Sequence, residues 1–265
     1  MVDTKEAADE RRDDALRLPS SHGIHDSHSR AIDYLRISVT DRCNLRCVYC
    51  MPLEGVAAHD HSEILSFEEI VAVTAAAAEL GVRKVRLTGG EPLVRSGLAE
   101  LIAALAQIDG LADLSLSTNG TLLQRNALNL KAAGLKRVNI SLDSLQPEKY
   151  RAITRTGDLG AALRGIAAAE EAGLAPIKIN TVILRGVNDD EVKDIAALAL
   201  ARGWSIRFIE RMPLAGEVQG YVTSAEVRSQ LDALGPLVAE SAAAGDGPAR
   251  CYRFVGAGGS IGFIS

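Results

Sequence analysis

The sequence predicts an α/β fold in which parallel strands form a partial (βα)6 barrel, open on one side, followed by a short C-terminal strand pair. Three observations carry this. Short β-branched runs and Ala/Leu-rich stretches of helical period alternate six times between residues 34 and 233. Such a succession implies a parallel sheet with right-handed crossovers, and six units are too few for a closed eight-stranded barrel. The strands alternate polar and apolar residues, whereas a parallel sheet covered by helices on both faces reads as nearly continuous apolar runs. An open doubly wound sheet satisfies the count, but a barrel with a polar lumen satisfies the alternation better. An antiparallel sheet with one wet face would alternate too; the intervening helices argue against it.

Residues 1–30 are charged and turn-rich and read as a disordered tail, 31–235 as the barrel, and 236–265 as an extension. The strands are expected at 34–40, 84–89, 113–119, 137–143, 177–183 and 204–210. Helices are expected near 66–80, 97–107, 121–133, 159–172, 189–201 and 223–233. Ser66 with Glu69 forms a capping-box pattern, and Gly81, Gly134, Gly173 and Gly203 stand where a left-handed residue closes a helix. RCYRFVG and SIGFIS read as the terminal strand pair.

Hydrophobic residues make up 47% of the 265 positions and aromatics only 4%, so Ala, Leu, Val and Ile must fill the core. A net charge of −5 argues against a nucleic-acid or anionic-membrane partner, and no stretch is apolar for long enough to span a bilayer. The acid-rich N-terminus lacks the apolar segment of a secretory signal, which points to the cytoplasm. In that compartment clustered cysteines are metal ligands or catalysts more often than disulfides. His22, His25 and His28 in the tail, and His59 and His61, read as solvated side chains.

On the strands, Arg36, Ser38 and Thr40 share one face, as do Arg86 and Thr88, then Ser115, Ser117 and Asn119, then Asn139, Ser141 and Asp143, then Lys178 and Asn180, and finally Ser205 and Arg207. Buried charge without partners is costly, so this face must line something wet or liganded. Its cations Arg36, Arg86, Lys178 and Arg207 suit a polyanion despite the acidic whole. Arg207 reads equally well as an ion-pair partner of Asp143 or another acid.

Cys43, Cys47 and Cys50 fall within eight residues, directly after the first strand, at the end of the barrel where such folds place their chemistry. A structural zinc site needs four protein donors, and His59 or His61 could supply the fourth. A [4Fe–4S] cluster held by three thiolates instead keeps one iron open to an exogenous ligand. Both readings stand on the spacing alone. A non-catalytic metal-binding module is the corresponding alternative to an enzyme.

The string CNLRCVYC, followed by TGGEP at 88–92 after the second strand, resembles the radical S-adenosylmethionine (SAM) superfamily. That resemblance implies a partial (βα)6 barrel, one [4Fe–4S] cluster with an open iron, and SAM bound to it. RAIDYLRISVTDRCNLRCVYCMP, VRLTGGEPLVR, STNGTLL, GLKRVNISLDSL and IRFIERMPL further resemble the GTP 3′,8-cyclase family of molybdenum cofactor biosynthesis. The resemblance implies a lyase that abstracts hydrogen from C3′ of GTP and joins that carbon to C8. It implies cluster ligation by Cys43, Cys47 and Cys50, and SAM contacts from Tyr49, Gly90, Ser141 and Met212. It implies GTP contacts from Arg36, Arg86, Ser117 and Lys178, with Arg207 added here from the polar face. Another SAM radical enzyme with a single cluster is the alternative within the superfamily. No acid–base pair is identified, and a homodimer is expected by resemblance only. The family's second [4Fe–4S] cluster, held by three further cysteines near its C-terminus, is not expected from these residues. Cys251 does not match those ligands and reads as a buried or idle thiol.

Overall fold

The computed structural model describes residues 23–57, 59–212, 221–240 and 249–265, with the side chain of His61 left out. The six expected parallel strands are β1 (Tyr34–Ser38), β2 (Lys84–Thr88), β3 (Asp113–Thr118), β4 (Arg137–Ser141), β5 (Lys178–Ile183) and β6 (Ser205–Glu210). They pair in chain order. Between and after them run α1 (Phe67–Glu79), α2 (Leu98–Ala106), α3 (Leu123–Ala132), α4 (Pro147–Thr154), α5 (Leu159–Glu171), α6 (Val192–Ala201) and α7 (Ser224–Leu231).

Local chemistry sets the helix ends. Ser66 and Glu69 form the expected reciprocal box at the start of α1, and Thr223 with Glu226 forms a second at α7. Gly81, Gly134, Gly173 and Gly203 all take positive φ after a helix, which a Cβ would oppose. The apolar strand positions Val85, Leu87, Leu116, Val138, Ile140 and Ile179 are wholly buried beneath the helices, whose small Ala162, Ala169, Ala196 and Ala199 let them approach the sheet closely.

The C-terminal strands depart from the expected isolated pair. β8 (Arg250–Phe254) and β9 (Ser260–Ile264) are antiparallel to each other, but β9 also lies parallel to β6. β7 (Leu237–Ala239) adds a further antiparallel strand, giving one nine-stranded sheet in the order β1-β2-β3-β4-β5-β6-β9-β8-β7. The barrel is therefore extended past β6 by its own C-terminal segment, and β1 remains the open edge. Two further elements were not expected. Helix α4 lies between β4 and α5, where the only helix expected was the one near 159–172. Residues 24–32, which run from the expected tail (1–30) into the start of the expected barrel, make a small bridge between His25 and Ala31 and hang from the end of α1 by Ile24 N–H to Leu80 O at 3.2 Å. His22 lies outside the described residues; His25 and His28 are exposed, as read.

Candidate functional site

The loop after β1 carries Cys43, Cys47 and Cys50, all as free thiols and all at least partly accessible. Two neighbours hold it. On one side the Gly-Gly-Glu-Pro segment after β2 zips against it: Gly90 N–H donates to Thr40 O and Glu91 N–H to Arg42 O, each at 2.8 Å. A Cβ on Gly90 would stand 2.3 Å from Arg42 O, and one on Gly89 2.4 Å from Thr40 O. The close approach that Gly90 permits is thus first of all to the chain's own backbone. On the other side sits the unforeseen α4. Arg46 N–H donates to Thr154 O and Val48 N–H to Ile153 O, while Arg155, at φ 65°, donates through Nη1 to Met51 O at 3.0 Å.

Glu91 ties this assembly to β3. Its fully buried carboxylate accepts from Leu93 N–H and the Thr118 hydroxyl at Oε1, and from Asn119 N–H at Oε2. Burial raises its pKa, opposed by those three donors. Asn119 in turn donates to Asn44 Oδ1 at 2.9 Å, within the cysteine loop.

Asp143, just past β4, performs the same task opposite. It accepts from the Tyr49 hydroxyl at 2.6 Å and from Val182 N–H at 2.9 Å. Burial pushes its pKa up to about 6, and desolvation with the adjacent Asp143 charge pushes Tyr49 well above its usual value. Each Asp143 oxygen thus accepts from one of these two donors. Burial likewise pushes the Cys47 thiol up to about 12, so a thiolate there needs a cationic centre beside it.

Below this mouth lies the cationic lumen. Register aligns Arg36 with Arg86, Arg86 with Ser115, and Ser115 with Arg137, so three guanidiniums stand in one cross-strand row. Arg36 is exposed on the edge strand, while Arg86, Arg137, Lys178 and Arg207 are buried. Arg86 packs over the Tyr34 ring at 5.3 Å and, with the Asn139 amide turned so that its oxygen faces the guanidinium, donates through Nε to Asn139 Oδ1 at 2.9 Å. Burial, then repulsion from Arg137, Arg207 and Arg36, holds its pKa down to about 10, so it stays charged at neutral pH. Ser117 stands half-buried in the next row, aligned with Asn139 and, through it, Lys178.

Ser141 is exposed at the mouth, and Met212, two residues beyond β6, is 53% exposed. Residues 213–220 beyond Met212 lie outside the described set. The His59 imidazole lies 3.4 Å from Glu63 rather than among the thiols. Among the described residues no three His, Cys, Asp or Glu side chains gather tightly enough for one metal ion. The loop offers three thiols, and a [4Fe–4S] cluster takes its thiolates on separate irons.

The Radical SAM superfamily model matches residues 37–199. The chain is 53% identical over 247 residues to the GTP 3′,8-cyclase of Pelotomaculum thermopropionicum, covering 91% of this chain and 76% of the relative. This chain belongs to the GTP 3′,8-cyclase family of the radical SAM superfamily. The enzyme of the same name from Moorella thermoacetica is 49% identical, again over 91% of this chain and 76% of the relative. Among solved structures, Streptococcus suis SuiB bound to S-adenosylmethionine superposes with a TM-score of 0.62 at 15% identity, covering 87% of this chain and 57% of that one. Native anSMEcpe with bound AdoMet gives 0.58 at 19%, covering 73% and 56%. This chain thus spans less than two thirds of those structures, and the likeness to them is one of fold. A [4Fe–4S] cluster and SAM are the superfamily's cofactors, and the three-thiol loop fits that cluster.

The sequence reading missed Arg137, Glu91, Arg155 and α4. Arg137 had a visible signal, standing two residues before Asn139 on the same strand face. The others act through contacts distant in sequence.

Proposed function

We propose that this chain is a GTP 3′,8-cyclase, converting GTP to 3′,8-cyclo-7,8-dihydroguanosine triphosphate in molybdenum cofactor biosynthesis. The observation that supports it most is a row of three guanidiniums, two of them buried, beneath a three-thiol loop in one barrel, in a chain 53% identical to a cyclase of that name. Cys43, Cys47 and Cys50 would hold the [4Fe–4S] cluster. When bound, the cluster and SAM supply a 5′-deoxyadenosyl radical by reductive cleavage of the sulfonium.

The chain's own contribution is binding and positioning. Tyr49, fixed by Asp143, and Gly90, fixed against Arg42, shape the SAM side of the mouth together with Ser141 and Met212. Arg36, Arg86, Lys178 and Arg207 attract the triphosphate, and the Ser117 hydroxyl offers a neutral hydrogen bond in the row of Lys178, one row nearer the mouth than Arg36 and Arg86. A buried cationic wall also raises the strength of each contact, since the local dielectric is low. No described helix is long and apolar enough to cross a membrane. We read the enzyme as cytoplasmic, acting on free nucleotide without a nucleic-acid partner, and as a homodimer by family resemblance.

The test is anaerobic incubation of the iron-loaded chain with dithionite, SAM and GTP, followed by mass spectrometry. Both 5′-deoxyadenosine and a cyclised nucleotide are expected. 5′-Deoxyadenosine alone would confine the chain to radical generation, and neither product from fully loaded protein would refute the reading.

A further inference from the structure

Three carboxylates are buried among the described residues: Glu91, Asp143 and Glu191. Glu191, just before α6, accepts from the Ser144 hydroxyl and Leu145 N–H and has Lys149 Nζ 3.6 Å away. The other two flank the thiol loop, and the donors that oppose the cost of burying them are neutral. For Asp143 those donors are the Tyr49 hydroxyl and Val182 N–H, and its own carbonyl is held by Asn188 Nδ2 at 2.6 Å. A buried carboxylate with neutral partners costs stability and calls for a functional reason.

Its place supplies one. Tyr49 stands between Cys47 and Cys50 in the chain, and its hydroxyl ties the Asp143 carboxylate to that segment at 2.6 Å. At Cys47 the largest influences on the thiol are burial and then the Asp143 charge, both disfavouring the thiolate, with a Tyr49 hydrogen bond opposing them. At Cys43 the Glu91 charge acts in the same sense, but there the Arg46 guanidinium works against it, held by Nη1 to Cys43 O at 2.7 Å. The fully buried Tyr150 of α4 feels both Asp143 and Cys47, which places the three in one dry layer beneath the loop. Charges in such a layer act on one another at low dielectric.

Reduction adds one negative charge to a cluster that three thiolates already make anionic. A fixed negative charge beside it disfavours the added electron, and net charge is among the features that set a cluster's potential. That electron is the more readily passed on: it enters the SAM sulfonium and breaks the bond from sulfur to C5′, giving methionine and the 5′-deoxyadenosyl radical.

We propose that Asp143 is a potential-setting residue, whose buried charge, fixed beside Cys47 through Tyr49, holds the reduction potential of the bound cluster low and so favours electron transfer to SAM. The inference goes beyond the GTP reading and rests only on the cluster that the three thiols fit.

The test is an EPR-monitored redox titration of the iron-loaded chain against dithionite, without SAM or GTP, at about pH 8, where the carboxylate is ionised. Asp143→Asn keeps the shape: its amide oxygen accepts from Val182 N–H, and its NH2 faces the Tyr49 hydroxyl, which can turn to accept. The midpoint should rise, displacing the reduction equilibrium about tenfold toward the reduced cluster, or about 60 mV for one electron. Asp143→Glu keeps the charge and should stay within about twofold of wild type. Glu191→Gln removes a buried carboxylate that acts on no thiol of the loop as strongly as Asp143 does, and should leave the midpoint in place. An equal rise in Glu191→Gln would mark a loosened fold and not a field, and overturns the proposal. So does a tenfold rise in Asp143→Glu, even should Asp143→Asn fail to take up iron. A wild type that assembles no cluster refutes the cluster reading itself; a loaded wild type beside an Asp143→Asn of unchanged midpoint overturns the proposal alone.

Discussion

Replacing Glu91 should unfasten the thiol loop, and the structure sets the size of the effect. The carboxylate is fully buried and accepts from three donors: Leu93 N–H at 3.0 Å, the Thr118 hydroxyl at 2.8 Å and Asn119 N–H at 2.7 Å. Glutamine keeps the shape but only one acceptor oxygen. With that oxygen at the Oε1 position, two bonds survive and the amide NH2 meets Asn119 N–H, donor against donor. One charge-assisted bond is lost, worth about 1.5–3 kcal/mol, and partly offset because glutamine buries no charge. The burial that raises the Glu91 pKa is the sign of that offset. Net destabilisation of about 1–2 kcal/mol is expected for Glu91→Gln. Glu91→Ala orphans all three donors at about 1–3 kcal/mol each and should reach the rare class above about 4 kcal/mol. A chain of this size shifts its Tm by about 2–4 °C per kcal/mol, so the two variants should separate clearly in anaerobic thermal melts. Because Asn119 also holds Asn44, iron incorporated per chain should fall in the same order. An alanine variant that melts within about 0.5 kcal/mol of wild type and loads as much iron would refute the assignment of Glu91 as the brace.

Gly90→Ala places a Cβ 2.3 Å from Arg42 O, where only backbone can yield; we expect about 1–3 kcal/mol of destabilisation by melting, and iron loading well below wild type. Arg155→Ala removes the Nη1 bonds to Met51 O and Arg46 O, and amide hydrogen exchange should speed up across residues 46–51 while β3 and β4 stay protected. Asp143 has its pKa raised from 3.8 to about 6, so its folded form favours the proton. Its contribution to stability is complete below 3.8 and declines as pH rises through about 6, with a slope of up to about 1.4 kcal/mol per pH unit. Urea titrations of Asp143→Asn over that window should lack this component, and a parallel decline in the variant would contradict the assignment.

Much of this was legible because it is local. The six parallel strands fall within two residues of their expected bounds, since β-branched alternation and terminal glycines fix them where they stand. Helix α4 was not legible: Pro147 to Thr154 is a short amphipathic turn set hard against α5, and what it covers is a loop a hundred residues earlier. The pairing of β9 with β6 was hidden for the same reason, because the partner of a parallel strand is chosen by tertiary packing and not by its own period. Glu91 was visible as a motif letter, yet its role belongs to Thr118 and Asn119. Arg137 was the one omission that the alternation itself could have corrected.

The arginine row also explains why the lumen is built as an open barrel. Arg36 on the edge strand is exposed, while Arg86 and Arg137 in the same row are buried. An anion entering from the β1 side meets first a hydrated guanidinium, whose attraction is screened, and then desolvated ones, whose attraction in low dielectric is several times stronger. Closing the barrel over β1 would bury Arg36 as well and strengthen its repulsion of Arg86, whose pKa burial and like charges already hold down to about 10. The edge therefore relieves repulsion in the empty protein and grades the field for an incoming polyanion. The same geometry leaves the strand ends beside the thiol loop free to be fixed by Glu91 and Asp143, two buried carboxylates that brace the site without neutralising the row below.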